Sequence, residues 1–536
     1  MAAPNGDSRA TPHEGETLAP LVERFNERRE VIRRDMGGIE RIAKLHAGGR
    51  RTIRDRIEAF VDPGSFEELG TFSRSENPLD TASTPGDGKI GGHATVDGRP
   101  VTVIGDDITV KRGSSSVVGG ARVERLFEHA LKMGNPFVCF GETGGARIPD
   151  TLGGEGFLKV TPKRSHAVRR HRIPMVTAIV GESFGGSSFM AAMSDFVVQV
   201  RGSCLAVTSP RVVEVATGEQ VSFEDLGGVD VHARVTGQID LGVETEDEAI
   251  AAIRAFLSYL PSNGWTPPPR GPSAAEIGHL LDADPALATA VPARRRRAYD
   301  MRAVLARVVD GGQLFELRPL FGRSLITAFA RIDGHPVGVI ASQPVYQAGV
   351  LSPDACDKAT KMVVLCDSYG LPLVFLQDVP GFLVGTQVEH NRLLHKAIHF
   401  QEALSLAAVP KLTVVLRKAF GLAYFLMGGT DSGADLVCAW PSAELGFMDP
   451  AVGANVLAGT RLASLDDEAR REALAVIAAE LEEGTDPFLG AGIMKIDEII
   501  DPADTRGVLA RALGRFAHRP FEPGADRPLA SWPTCW

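Results

Sequence analysis

The chain has 536 residues, a net charge of −10, 44% apolar and 23% charged side chains. That length exceeds one ordinary core, and the composition is that of a globular protein with two or more domains. The negative balance disfavours a general nucleic-acid binder, and no apolar run is long enough to span a membrane.

In chain order, the opening stretch MAAPNGDSRATPHEGETLAP lacks an apolar signal core. Residues 1–35 are expected to form a short tail and an N-terminal helix. The six cysteines (139, 204, 356, 366, 438 and 535) are widely spaced, with no Cys-x-x-Cys pair. This argues against a zinc ribbon or a thiol-redox motif and fits reduced thiols in a cytoplasmic protein. Residues 36–260 are expected to form a first domain. Within it, PFVCF reads as a buried strand that ends in the Gly-rich loop GETGGAR. A helix follows, then the strand MVTAIV, a tight Gly turn in GESFGG, a second helix and the strand FVVQV. Short continuous apolar strands alternating with helical patterns indicate a mostly parallel sheet covered by helices. The Pro-rich stretch PSNGWTPPPRGPS opens a linker over 261–298. Its run RRRR (294–297) reads as a solvated patch rather than a polyanion site. Residues 299–518 form the second domain, and 519–536 a tail.

The second domain repeats the first. Pro174, Thr177, Phe184 and Gly185 recur 236 residues later as Pro410, Thr413, Phe420 and Gly421. The same step carries Glu142 to Asp378 and Gly145 to Gly381. Downstream the step becomes 240, taking Asp195, Val197, Leu205, Pro210 and Val212 to Asp435, Val437, Leu445, Pro450 and Val452. The fold class is therefore α/β, with two homologous domains in tandem.

Each domain contains a strand–turn–helix junction, which points backbone N–H groups outward where the helix dipole favours negative charge. Glycine there allows φ > 0 and a close approach to the backbone. Such a junction can stabilise a developing oxyanion, and two copies would serve two carbonyl-type substrates. The plainer alternative is that these glycines only permit helix–strand packing. A competing reading takes Gly181-Glu182-Ser183-Phe184-Gly185 as a nucleophile elbow, with Ser183 served by Asp230 and His232. Ala419 stands at the equivalent position of the second copy, so the repeated unit does not depend on a hydroxyl there. There is no phosphate loop, no HExxH and no biotinylation motif, and His46, His390 and His395 lack ligand-like spacing, so no metal is expected.

These paired segments resemble the carboxyltransferase (β) subunit of biotin-dependent acyl-CoA carboxylases, the propionyl-CoA carboxylase type, in the crotonase superfamily. The likeness runs from about residue 22 to 515. It is carried in order by RIAKLHAGGRRTIRDRIEAFVDPGSFEELG, GETGGARI, TGEQVSFEDLGG, QPVYQAGVL, DVPGFLVGT, RKAFGLAY, ADLVCAWPSAELGFM and DEIIDPADTR. The missing cysteine pairs separate it from the bacterial acetyl-CoA carboxylase β subunit. The resemblance implies two crotonase-like (ClpP/crotonase) spiral domains, with acyl-CoA on the first and biotin on the second. It implies a separate biotin carboxylase or biotin carrier subunit as partner, and a homohexamer with active sites between neighbouring subunits. Backbone N–H groups of Gly185 and Gly186 would hold the thioester enolate, and those of Leu422 and Ala423 the biotin ureido oxygen. Gly144, Gly145, Ala146, Ser183, Tyr424 and Phe425 would lie on the acyl-CoA substrate, and Gly381, Phe382 and Gly421 on the biotin side. Related alternatives are a biotin-linked acyl-CoA decarboxylase subunit and a biotin-independent hydrolase or decarboxylase of the same superfamily.

Three positions depart from the family pattern. Leu422 replaces a glycine of the second turn. Phe425 replaces an acidic residue tied to acyl-chain choice, which implies a more apolar or reshaped acyl pocket. Glu182 and Ser183 replace a usual Pro-Cys, placing a carboxylate beside the thioester site.

Overall fold

A computed structural model describes residues 17–159, 169, 171–273, 275–276, 283–516 and 527–534. The N-terminal 16 residues, and with them most of the expected tail, lie outside this set. The helix Ala19–Asp35 follows, with no buried residue.

Two eight-stranded sheets carry the fold. The first contains β1 (Glu67–Glu68), β2 (Lys89–Val96), β3 (Arg99–Asp106), β4 (Phe137–Thr143), β5 (Met175–Phe184), β6 (Phe196–Val200), β7 (Cys204–Ala206) and β8 (Leu241–Val243). The second contains β9 (Phe315–Leu317), β10 (Leu325–Ile332), β11 (His335–Ser342), β12 (Leu373–Val379), β13 (Lys411–Phe420), β14 (Leu436–Ala439), β15 (Glu444–Gly446) and β16 (Glu498–Ile499). Their orders are the same: β1-β2-β3-β4-β5-β6-β8 with β7 on the end of β5, and β9-β10-β11-β12-β13-β14-β16 with β15 on the end of β13. The first three strands of each sheet are antiparallel and the rest parallel.

The register reproduces the sequence offsets. Phe137 pairs with Met175 as Leu373 pairs with Lys411, and both bulges fall at equivalent places, Gly141/Thr143 and Gln377/Val379. Val176 pairs with Phe196 as Leu412 pairs with Leu436, which is where the step changes to 240. The isolated bridges Ser115–Ala146 and Leu351–Phe382 are again 236 apart. The duplication also reaches further upstream than the sequence pattern indicates. Arg54 holds Glu68 and Arg302 holds Glu316, a step of 248. Asp62 accepts from the N–H groups of Asp97 and Gly98, and Asp310 from those of Asp333 and Gly334.

The two domains share a core. Phe196 and Phe256 stack at 4.7 Å and meet Phe315 and Phe329 of the second domain. Helix Pro353–Tyr369 is buried at every residue but Asp354. It starts on a Ser352 cap with Pro353 behind it and stops at Gly370, whose φ is 74°. From it, Lys361 reaches Asp240 at 2.6 Å and the Tyr369 hydroxyl reaches Asp195 at 2.7 Å, both in the first domain.

The expected linker is docked. Asn263 donates to the Gly134 carbonyl, and Leu287 is fully buried. The RRRR run is exposed at Arg294, Arg296 and Arg297, as a solvated patch would be, but its backbone and Arg295 are tied down. Arg417 donates to the carbonyls of Pro292, Arg294 and Arg297, and Arg295 lies 2.6 Å from Glu444. The C-terminal tail is likewise held where it is described. Leu529 is buried, and His171 Nε2 lies 2.6 Å from the Trp532 carbonyl.

Lys358, in the buried helix, donates to the carbonyls of Phe321 and Leu325. Burial pulls its pKa down to about 7 from 10.5. The unfolded chain therefore binds this proton more tightly, and stability rises as pH climbs from about 7 towards 10.5. The expected result is a melting temperature that increases over that window in the wild type and is flatter in Lys358→Met.

Candidate active site

The first turn is built where β5 outruns its parallel neighbours. Its last residues pair with β7, Glu182 with Cys204, Ser183 with Leu205 and Phe184 with Ala206. The chain then reverses at Gly185, with φ 64° and ψ −123°, a region open in practice only to glycine. The Gly185 N–H is used by the Val207 carbonyl, and helix Gly186–Ala192 begins at once. As at any helix start, the first N–H groups have no intrahelical acceptor.

The loop after β4 faces this turn. Gly144 and Ala146 are exposed, and Gly145 has φ 99°. The loop is pinned to residues 112–115 by three backbone bonds: Gly144 N–H to the Arg112 carbonyl, Ser115 N–H to Gly145, and Arg147 N–H to Ser115. Arg147 is buried and locks it by pairing with Asp87 at 2.5 Å and Asp150 at 3.3 Å. Between loop and turn lies a cleft of about 550 Å³, lined among others by Gly144, Ala146, Ile148, Phe184 and Phe223.

The second turn repeats this geometry. Lys418, Ala419 and Phe420 pair with Glu444, Leu445 and Gly446. Gly421 has φ 63° and ψ −155° and donates to the Gly446 carbonyl, and helix Leu422–Leu426 follows. The facing loop has Gly381 at φ 134°, bonded to Leu351 as Gly145 is to Ser115, while Phe382 packs against the core. The leucine is thereby explained. Only Gly185 and Gly421 need a positive φ. Gly186 and Leu422 do not have one, so the backbone accepts a side chain there. The Leu422 side chain is 68% exposed, and Ala423 beneath it is buried. Tyr424 is held by Thr430 at 3.3 Å and meets the Phe425 ring edge-on at 5.1 Å.

The acidic residue before each loop is buried but neutralised differently. Asp378 is paired with Arg417 at 2.9 Å, and burial, reinforced by Asp378, pushes the nearby Tyr299 phenol well up. Lys418 sits beside this group, and burial lowers its pKa despite Asp378. Glu142 instead takes Arg56 at 2.5 Å and Arg50, and Arg56 also holds Glu246 at 2.8 Å. None of Arg56, Arg147 and Arg417 stands out in the sequence, where a buried arginine reads like a surface one.

Two expectations change. Ser183 is fully buried and its hydroxyl donates to Ser187 at 2.9 Å, so it supports the turn from beneath. His232 is spent on the Leu205 carbonyl and Thr236, and Asp230 on Arg201 and Arg234. These partners leave no elbow triad. Glu182, expected beside the thioester site, lines the first cleft and pairs with Arg112 at 2.6 Å. Burial pushes the neighbouring Cys204 thiol up to about 11, so it stays protonated at neutral pH. His46 pairs with Asp55, and His390 and His395 are exposed.

A family model for the carboxyl transferase domain matches residues 44–525. The methylmalonyl-CoA carboxyltransferase 12S subunit of Propionibacterium freudenreichii subsp. shermanii is 37% identical over 513 residues, covering 94% of this chain and 95% of that protein. The methylmalonyl-CoA decarboxylase subunit alpha of Veillonella parvula is 35% identical over 510 residues, covering 94% and 97%. Among solved structures, the hexameric transcarboxylase 12S with hydrolysed methylmalonyl-coenzyme A bound superposes with a TM-score of 0.86 at 35% identity, covering 94% and 97%.

Proposed function

The chain belongs to the carboxyl transferase family, and on that premise we propose that it is the carboxyltransferase subunit of a biotin-dependent acyl-CoA carboxylase. The observation that carries this reading is the pair of equivalent turns, Gly185 at φ 64° and Gly421 at φ 63°, each opening a helix beside a Gly loop.

In this reading the first cleft takes the acyl-CoA. Of the two donors expected in the first turn, the Gly185 N–H is spent on Val207, so the Gly186 N–H receives the thioester oxygen and stabilises the charge that develops when the α-carbon loses its proton. Positioning and backbone dipoles do this without a side-chain base, which fits a cleft whose lining, among the described residues, holds no histidine or cysteine. The second turn fits biotin. The N–H groups of Leu422 and Ala423 open their helix, and the Leu422 side chain stands in solvent. Bound biotin would carry the carboxyl group on its ureido nitrogen and accept the α-proton in exchange. Gly421 and Gly381 leave room for its ring, and Leu422 and Ala423 hold the ureido oxygen. Phe425 narrows the acyl end with an aromatic wall. The subunit works in the cytoplasm as a homohexamer with a biotin carrier partner. Burial of Ser183 argues against a biotin-independent hydrolase that would use its hydroxyl as nucleophile.

The test is transfer of a carboxyl group from a charged biotin carrier to a panel of acyl-CoAs. Product with at least one of them is expected; none with any would end the reading. Leu422→Gly is expected to keep biotin-dependent turnover within about threefold of wild type, the helix-start penalty being about 1 kcal/mol or less. Loss of turnover in Leu422→Gly would show that the leucine side chain itself shapes the biotin slot.

A further inference from the structure

Behind the first cleft lies a second space, a chamber of about 840 Å³. Arg112 and Glu182 line both it and the acyl-CoA cleft, so their 2.6 Å ion pair stands between the two. The Arg112 side chain is 68% exposed and that of Glu182 34%, so neither is locked by packing. Arg112 has φ 57°, in the left-handed region. Ala348 has φ 54° at the equivalent place, so the bend belongs to the fold and the guanidinium to this copy alone.

The equivalent place in the second domain is occupied. There Arg417 fills the corresponding volume, bonded to the carbonyls of Pro292, Arg294 and Arg297 and lying 5.1 Å from the Tyr299 ring centre. In the first domain Gly181 stands where Arg417 would, 236 residues earlier; the Glu142 side chain packs directly over it, and the space beyond them is open. Its walls include Arg50, Arg51 and Arg201 facing Glu244, Glu246 and Asp247. Each arginine has a carboxylate partner: Arg50 Glu142, Arg51 Asp247, and Arg201 Glu244. The chamber is thus strongly polar, with its charges of both signs largely paired.

We propose that the Arg112–Glu182 pair is a specificity-determining partition, and that the chamber behind it receives the distal end of an acyl group bearing an oxygen function. The inference rests on reading the first cleft as the acyl-CoA site. An alkyl tail gains little here, because it would strip water from ionic walls without offering them a hydrogen bond. A terminal hydroxyl or carboxylate can replace that water and can take Arg112 from Glu182 as a partner. Short acyl groups end before the partition and do not sense it.

The experiment compares acyl-CoAs of equal chain length with alkyl, hydroxyl and carboxylate ends, in the wild type, Glu182→Gln and Arg112→Gln. Relative kcat/KM is measured, and affinity for the same thioesters by calorimetry. The wild type is expected to favour an oxygenated end over the alkyl end by about tenfold, with the ratio falling to about twofold or less in both variants. An unchanged ratio in the variants, or a wild-type preference for alkyl ends, overturns the proposal. So does a uniform rise in KM for every thioester together with weaker binding of free CoA, which would assign the pair to the nucleotide end. If the wild type turns over no acyl-CoA, the parent reading fails, and the calorimetric ratios still decide the partition: equal affinities sink it independently.

Discussion

Gly185→Ala is expected to lower carboxyl transfer by about 10²–10³-fold, the scale of losing a preorganised oxyanion donor. The reason is conformational. With φ 64° and ψ −123°, Gly185 occupies a region that a Cβ excludes. Nothing lies within 4 Å of an added Cβ, so the penalty comes from the backbone rather than from a clash. The chain would escape it by turning the peptide that positions the Gly186 N–H. Gly421→Ala should lose activity on the same scale, with an additional close approach of the new Cβ to the Phe447 carbonyl at 3.1 Å. The two variants are expected to separate by substrate. Gly185→Ala should weaken acyl-CoA affinity and leave the KM for the biotin carrier near wild type; Gly421→Ala should do the reverse. Each should still fold, since one strained residue costs about 1–3 kcal/mol. Wild-type turnover in either variant would mean that its turn does not hold a reacting oxygen.

Asp195→Ala is expected to destabilise the protein by about 3–5 kcal/mol. Asp195 is fully buried and takes two bonds from Arg169 at 2.8 and 2.9 Å, with His171 and the Tyr369 hydroxyl each at 2.7 Å. It also accepts the Met175 N–H at the root of β5. Removing it leaves the buried Arg169 guanidinium without a carboxylate. It also cuts the tie through Tyr369 to the helix that joins the domains. Burial alone would raise this carboxyl's pKa, but Arg169 and His171 outweigh that and hold it well below the ordinary range. A lowered carboxylate stabilises the fold above its unfolded pKa and loses that contribution on acidification. Denaturation midpoints of the wild type should therefore fall as pH drops below about 4, the ordinary carboxylate value. Asp195→Asn should start lower and show a flatter acid limb. Equal midpoints for wild type and both variants at pH 7 would contradict the assignment.

The turns were legible in the sequence because positive φ forces glycine at Gly185 and Gly421, and a forced residue recurs at a constant offset. The parallel core strands were legible because strands buried on both faces become continuous apolar runs. The upstream part of the duplication was not, because two polar pairs, Arg54–Glu68 and Arg302–Glu316, carry it among otherwise unlike residues. The supporting charges were hidden by distance along the chain. Arg56 meets Glu142 across 86 residues, Arg147 meets Asp87 across 60, and Arg417 meets Asp378 across 39. Composition marks 261–298 as a linker, and 519–536 reads only as a tail. Prolines and polar residues mark irregular backbone, but they do not say whether it packs, and Leu287 and Leu529 bury both segments. Ser183 looked nucleophilic because the elbow motif records spacing and not which face a hydroxyl occupies.

The most direct measurement is a crystal structure of this protein soaked with an acyl-CoA and with biotin. The account predicts the thioester oxygen within hydrogen-bonding distance of the Gly186 N–H, and the ureido oxygen within hydrogen-bonding distance of the Leu422 N–H. Acyl-CoA bound away from the Gly185 turn, or biotin excluded from the Gly421 turn by the leucine side chain, would contradict it.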